Sequence, residues 1–119
     1  MKCENIILLA GRPASGKTEM MIAYANQFPN STLVLSEEHN PQSLVQRGLN
    51  HIIKVTSQDE FYKVNLENYK TLCIDYLELF DQNKIINIIE TANEKKLRII
   101  VLAKIGLNRT TMQELDRTQ

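Results

Sequence analysis

A mostly parallel, five-stranded α/β sheet with helices on both faces is the fold this sequence predicts. Three observations carry the prediction. Five short β-like runs alternate with segments of helical or turn character, the pattern that builds a parallel sheet through crossover connections. The first run is apolar at every position and leads directly into a glycine-containing loop, as a strand buried on both faces does. The 119 residues, 43% of them hydrophobic, supply one core and one domain rather than two.

The elements follow in order. Residues 6–10, Ile-Ile-Leu-Leu-Ala, form the first strand. Residues 17–28 carry Met20, Met21, Tyr24, Ala25 and Phe28 at helical spacing, with both methionines expected in the core, and Pro29-Asn30-Ser31 breaks that helix. Residues 32–35 are the second strand. Asn40-Pro41 reads as an N-cap with proline at the first helical position, Leu44 and Val45 facing the core and Gly48 ending the helix. Residues 52–55 are a short strand. Ser57-Gln58-Asp59-Glu60 has the spacing of a capping box and predicts a helix that buries Phe61 and Val64. Residues 71–74 form a strand ending at Asp75. Ile85, Ile88, Ile89 and Ala92 recur at i, i+3, i+4, i+7 and predict a long helix. Residues 97–102 are the last strand, and Thr111-Met112-Gln113-Glu114 predicts a short C-terminal helix.

Composition excludes several classes. Fourteen Lys and Arg balance fourteen Asp and Glu, so net charge does not support DNA binding, which would need a local patch or an oligomer's channel. No stretch approaches the ~18 apolar residues of a membrane helix, and the run at residues 6–10 is too short for a signal-peptide core. A cytoplasmic protein with no membrane segment is expected. Cys3 and Cys73 lack metal-ligand spacing and read as reduced thiols.

The strongest local signal is Gly11-Arg12-Pro13-Ala14-Ser15-Gly16-Lys17-Thr18. It fits G-x-x-x-x-G-K-[ST] at every fixed position, with an apolar strand before it and an amphipathic helix after it. The glycines let successive N–H groups turn inward on an anion, and the helix starting near Gly16 adds its positive end at the same point. Lys17 is placed to reach the β- and γ-phosphates and Thr18 to join a magnesium shell, so ATP with Mg2+ is the expected ligand. The fold expectation narrows accordingly to a P-loop NTPase. Asp75, closing an apolar strand, is the expected acidic partner of the metal. Glu37 and Glu38 follow the strand at residues 32–35. At a parallel sheet's carboxyl edge one of them can serve as general base, or both can belong to a solvated loop.

These stretches resemble the RecA-type ATPase core of the DnaB-family replicative helicases. Ile7-Leu8-Leu9-Ala10 with the loop at residues 11–18 is similar to that family's phosphate loop, including its Arg-Pro pair. Leu35-Ser36-Glu37-Glu38 with Leu44-Val45-Gln46-Arg47 resembles its second motif and places the catalytic glutamate on Glu38. Cys73-Ile74-Asp75-Tyr76-Leu77-Glu78-Leu79 resembles its magnesium segment, and Ile99 to Ala103 with Asn108-Arg109 its sensor strand. The resemblance implies a RecA-like P-loop fold and a link to DNA replication or recombination. It implies that the strand at residues 97–102 lies between those at 6–10 and 71–74, with 32–35 beyond the latter and the phosphate-loop strand near an edge, to be covered by the C-terminal helix or a partner chain. Lys104 stands where the family has a glutamine near the γ-phosphate. The sequence given does not contain the family's DNA-binding strands.

Other residues carry weaker signals. His39 and His51 are isolated and read as surface histidines, and Tyr76 reads as packing. Arg109 and Arg117 are solvated side chains by default and the arginines available to act in trans within a homo-oligomer. Three function classes follow: a weak ATP hydrolase that cannot unwind DNA by itself, a non-catalytic nucleotide-binding module docking on a helicase or replication partner, and, ranked last, a small-molecule kinase.

Overall fold

The computed structural model describes residues 6–11, 16–37 and 39–104, with Ala10, Gly11, Glu78 and Lys104 by backbone alone. Five strands, β1 (Ile6–Gly11), β2 (Thr32–Ser36), β3 (Lys54–Thr56), β4 (Thr71–Asp75) and β5 (Arg98–Lys104), form one sheet in the order β1-β5-β4-β2-β3. Every pairing is parallel. The strand order expected from the resemblance is the observed one, and among the described residues the strand starting at Ile6 is an edge.

Among the described residues three α-helices cover the sheet: α1 (Lys17–Gln27), α2 (Pro41–Gln46) and α3 (Gln82–Glu94). Side chains alternate across each strand, so the central strands feed two separate cores. Leu33, Leu35, Leu72, Ile74, Ile99 and Val101 point to one face and pack with Ile85, Ile88 and Ile89 of α3. Val34, Cys73, Ile100 and Leu102 point to the other and pack with Met21, Ile22 and Ala25 of α1 and Leu44 of α2. This two-sided burial is why the strands read as continuous apolar runs instead of alternating ones.

Several local expectations are corrected. Met20 is exposed, because α1 buries the stripe Lys17, Thr18, Met21, Ile22 and Ala25. Phe28 is also exposed, and so is Val45 on α2. The Ser57 hydroxyl does accept the Glu60 N–H at 3.2 Å, but no α-helix grows from that cap. The segment closes instead into two 3-10 turns, Phe61–Lys63 and Leu66–Asn68, the second capped by the Asn65 side chain. Asn65 competes locally for the backbone N–H of Glu67, which shortens the helix. Phe61 is buried as expected. Asn40 and Asp81 cap α2 and α3 through their side chains, and Gly48 leaves α2 at φ +114. The C-terminal helix expected near residue 111, with Arg109 and Arg117, lies outside the described residues.

Candidate functional site

In a parallel sheet all strands end on the same side, so the last residues of β1, β2, β4 and β5 share one edge. That edge holds Gly11, Ser36, Asp75 and Lys104. Register sets Gly11 beside Lys104 and Ser36 beside Asp75. Helix α1 starts at the same edge: Gly16 is its N-cap, at φ 85 and ψ 15. A left-handed backbone there favours glycine.

The first two residues of α1 are polar yet buried: Lys17 is 4% exposed and Thr18 1%. Such groups are retained inside only when the surroundings answer them. The Thr18 hydroxyl lies 3.4 Å from Oδ1 of Asp75 and 3.2 Å from the Tyr76 hydroxyl. Oδ2 of Asp75 accepts from the Ser36 hydroxyl at 3.1 Å. Nζ of Lys17 stands 6.0 Å from the centre of the Tyr76 ring. Tyr76 holds that position through a left-handed backbone, φ 57, an uncommon conformation for an aromatic residue and the kind of local strain that collects at functional sites.

A second layer extends outward. The Ser36 hydroxyl accepts the backbone N–H of His39 at 3.1 Å. Nε2 of His39 is 4.0 Å from Oδ2 of Asp75 and 2.9 Å from the Arg47 guanidinium. Arginine has only donors, so Nε2 is the acceptor of that bond. Arg47 also pairs with Glu19 on α1, which raises the Arg47 pKa and holds the Glu19 carboxyl below its ordinary value. The side chain of His39 is only 16% exposed, which corrects the expectation of a surface histidine.

Of the residues singled out in the sequence, Gly16, Lys17, Thr18 and Asp75 come together, with the backbones of Gly11 and Lys104 beside them. Arg12, Pro13, Ala14, Ser15 and Glu38 lie outside the described residues. Glu37 turns away: its carboxylate accepts the Gln58 N–H at 2.7 Å. Sequence reasoning missed Ser36, the link from His39 to Arg47, and the Tyr76 hydroxyl. Ser36 carried a signal, being the register partner of Asp75 once the strands are aligned. Nothing in the sequence announces the Tyr76 backbone.

The donor set is hard oxygen: the hydroxyls of Thr18, Ser36 and Tyr76 and the buried carboxylate of Asp75, where α1 meets the carboxyl edge of the sheet. Among the described residues no three His, Cys, Asp or Glu side chains converge on a metal position. Such a set fits a magnesium ion that takes the rest of its shell from phosphate oxygens and water, rather than a resident protein-only metal.

No family model matches this sequence, and no curated protein matches it. One solved structure of similar shape is SulA from Pseudomonas aeruginosa, with a TM-score of 0.47 at 11% identity, covering 85% of this chain and 98% of that one. A likeness at that level carries no functional argument. The resemblance to the DnaB-family helicase core is corrected: no family model matches the chain, and a solved structure found for it is SulA.

Proposed function

We propose that this chain is a P-loop protein that binds a nucleoside triphosphate, with ATP as the reference ligand, together with Mg2+ at residues 11–18. The single observation carrying the reading is the Thr18 hydroxyl set beside the buried Asp75 carboxylate at the N-terminus of α1. A hydroxyl that donates to a carboxylate keeps its lone pairs for a cation. Gly16 to Thr18 stand at the helix end where backbone N–H groups and the dipole favour phosphate. Lys17 supplies the cation for the terminal phosphates by leaving its place over Tyr76. Thr18 and Asp75 would hold the magnesium, which would neutralise phosphate charge when bound.

Hydrolysis on this reading is slow. Among the described residues no arginine is available to the phosphates in cis. The Arg47 guanidinium is occupied by Glu19 and His39, and Arg98 lies at the other end of the sheet. An arginine offered by a second copy would raise turnover by roughly a thousandfold or more. Glu38 is the proposed base for the attacking water, since the neighbouring Glu37 is engaged by Gln58. The second reading is a module that binds nucleotide without hydrolysing it and docks on a partner protein.

The test is titration of ATP in the presence and absence of magnesium, on wild type and Lys17→Ala, beside turnover measured against protein concentration. Turnover per chain that climbs with concentration and vanishes in Glu38→Gln supports the catalytic reading. Binding with no turnover at any concentration supports the module.

A further inference from the structure

A second site sits at the opposite end of the sheet. A cleft of about 310 Å³ is lined by Tyr24, Phe28, Ser31, Lys70, Thr71, Lys96 and Arg98. Thr71 opens β4 and Arg98 opens β5, so the cleft lies four residues, or about 13 Å along the strand, from Asp75. Its floor is cross-linked by backbone: the Ser31 carbonyl accepts from Lys70 N–H at 2.8 Å and Thr71 N–H at 3.2 Å, and Arg98 N–H donates to the Lys70 carbonyl at 2.9 Å.

From this cleft we infer a binding site for single-stranded nucleic acid, separate from the phosphate loop. Two kinds of group meet there. Lys70, Lys96 and Arg98 are exposed, and no carboxylate pairs with them among the described residues. Beside them stand two aromatic rings, Tyr24 and Phe28, 5.4 Å apart and tilted by 49°. Phe28 is 48% exposed, and the Arg98 guanidinium donates to the Tyr24 hydroxyl at 3.4 Å, which ties the cationic and aromatic parts together. Cations spaced along a groove hold phosphates, and an exposed ring offers a base its stacking partner. The cations also complement the C-terminal ends of α1 and α3, but that role gives no reason for an exposed phenylalanine. An acidic peptide would use the charges and leave the ring idle. The neutral net charge is no obstacle, because the patch is local.

The test is fluorescence anisotropy of a labelled oligo(dT) at several salt concentrations, in the absence of nucleotide. Wild type binds, with log affinity falling against log salt at a slope of about −2 for three phosphate contacts. Lys70→Glu with Arg98→Glu lowers affinity at least tenfold, and Phe28→Ser lowers it roughly tenfold through lost stacking. Should the double variant fail to fold by circular dichroism, Lys96→Gln at the exposed end of α3 replaces it. Lys17→Ala binds the oligonucleotide like wild type, so failure of the nucleotide reading leaves this result standing. No binding at low salt, variants indistinguishable from wild type, or a duplex bound as tightly and without effect of Phe28→Ser each overturns the inference.

Discussion

Ser36 and Asp75 are register partners at the carboxyl ends of β2 and β4, and the Ser36 hydroxyl donates to the buried Asp75 carboxylate at 3.1 Å. The contact joins two strands and fixes the orientation of a carboxylate that, on the proposed reading, faces the metal. Ser36→Ala removes one donor from a fully buried group and is expected to cost about 1.5–3 kcal/mol, as for a hydrogen bond to a charged acceptor. Urea denaturation measures that loss. In the nucleotide titration the same variant loses magnesium dependence more than affinity for the magnesium-free nucleotide. A variant as stable as wild type contradicts the role given to the Ser36 hydroxyl.

Cys73 belongs to the same strand but faces the α1 side of the sheet. Burial, with a smaller contribution from the nearby Asp75 charge, pushes its thiol up to about 12. The thiolate fraction at pH 8 is then about one in ten thousand. In a Cys3→Ser background the folded protein is expected to resist thiol reagents, and unfolding exposes one reactive group. The folded pKa lies above the ordinary value of 9.0, so stability is unaffected below pH 9 and declines as pH rises from there toward 12.

Ile88 is fully buried on α3 against the sheet. Ile88→Ala is expected to cost about 2–5 kcal/mol, because the packed core closes the vacated space only in part. The same truncation at the exposed Met20 changes stability by less than about 0.5 kcal/mol. Paired urea curves decide between these outcomes.

Glu19 and Arg47 join α1 to the end of α2. The hydrogen bond from Arg47 is the main cause of the lowered Glu19 pKa. A carboxyl whose folded pKa is depressed contributes above its ordinary value of 4.5 and loses that contribution as pH falls through the folded value. Both groups are exposed, so the contribution is at most about 1 kcal/mol. Glu19→Gln is expected to be less stable than wild type at pH 7, with the two curves converging in acid.

Much of this architecture was legible in the residues themselves. Continuous apolar runs marked β2, β4 and β5, whose two faces are covered by helices, whereas β1 exposes Ile7 and Leu8 and the short strand expected at 52–55 lies at Lys54–Thr56. The pairs Asn40-Pro41 and Ile85 to Ala92 marked two helices through capping and periodicity. The gaps have physical causes. Helical spacing on α1 fits two overlapping stripes, one through Met20 and one through Met21, and only docking on β4 chooses between them. The Ser57 cap forms its hydrogen bond, but Asn65 starts a competing turn. At the site, Lys17, Thr18 and Asp75 were marked by motif, whereas Ser36 and His39 reach Asp75 through strand register and the Tyr76 hydroxyl reaches Thr18 from a left-handed backbone. The family likeness rested on four short stretches, and no family model matches the chain.

On the proposed reading, Thr18 and Asp75 form the metal side of a triphosphate site whose phosphate side is Lys17. Isothermal titration of ATP, with magnesium and with a chelator, on wild type, Thr18→Ala and Lys17→Ala tests it most directly. The account expects tight binding by wild type in magnesium, loss of the magnesium enhancement in Thr18→Ala, and loss of at least tenfold in affinity in Lys17→Ala under both conditions. No heat of binding from folded wild type with any of the common nucleoside triphosphates, or equal affinity in all three proteins, contradicts it.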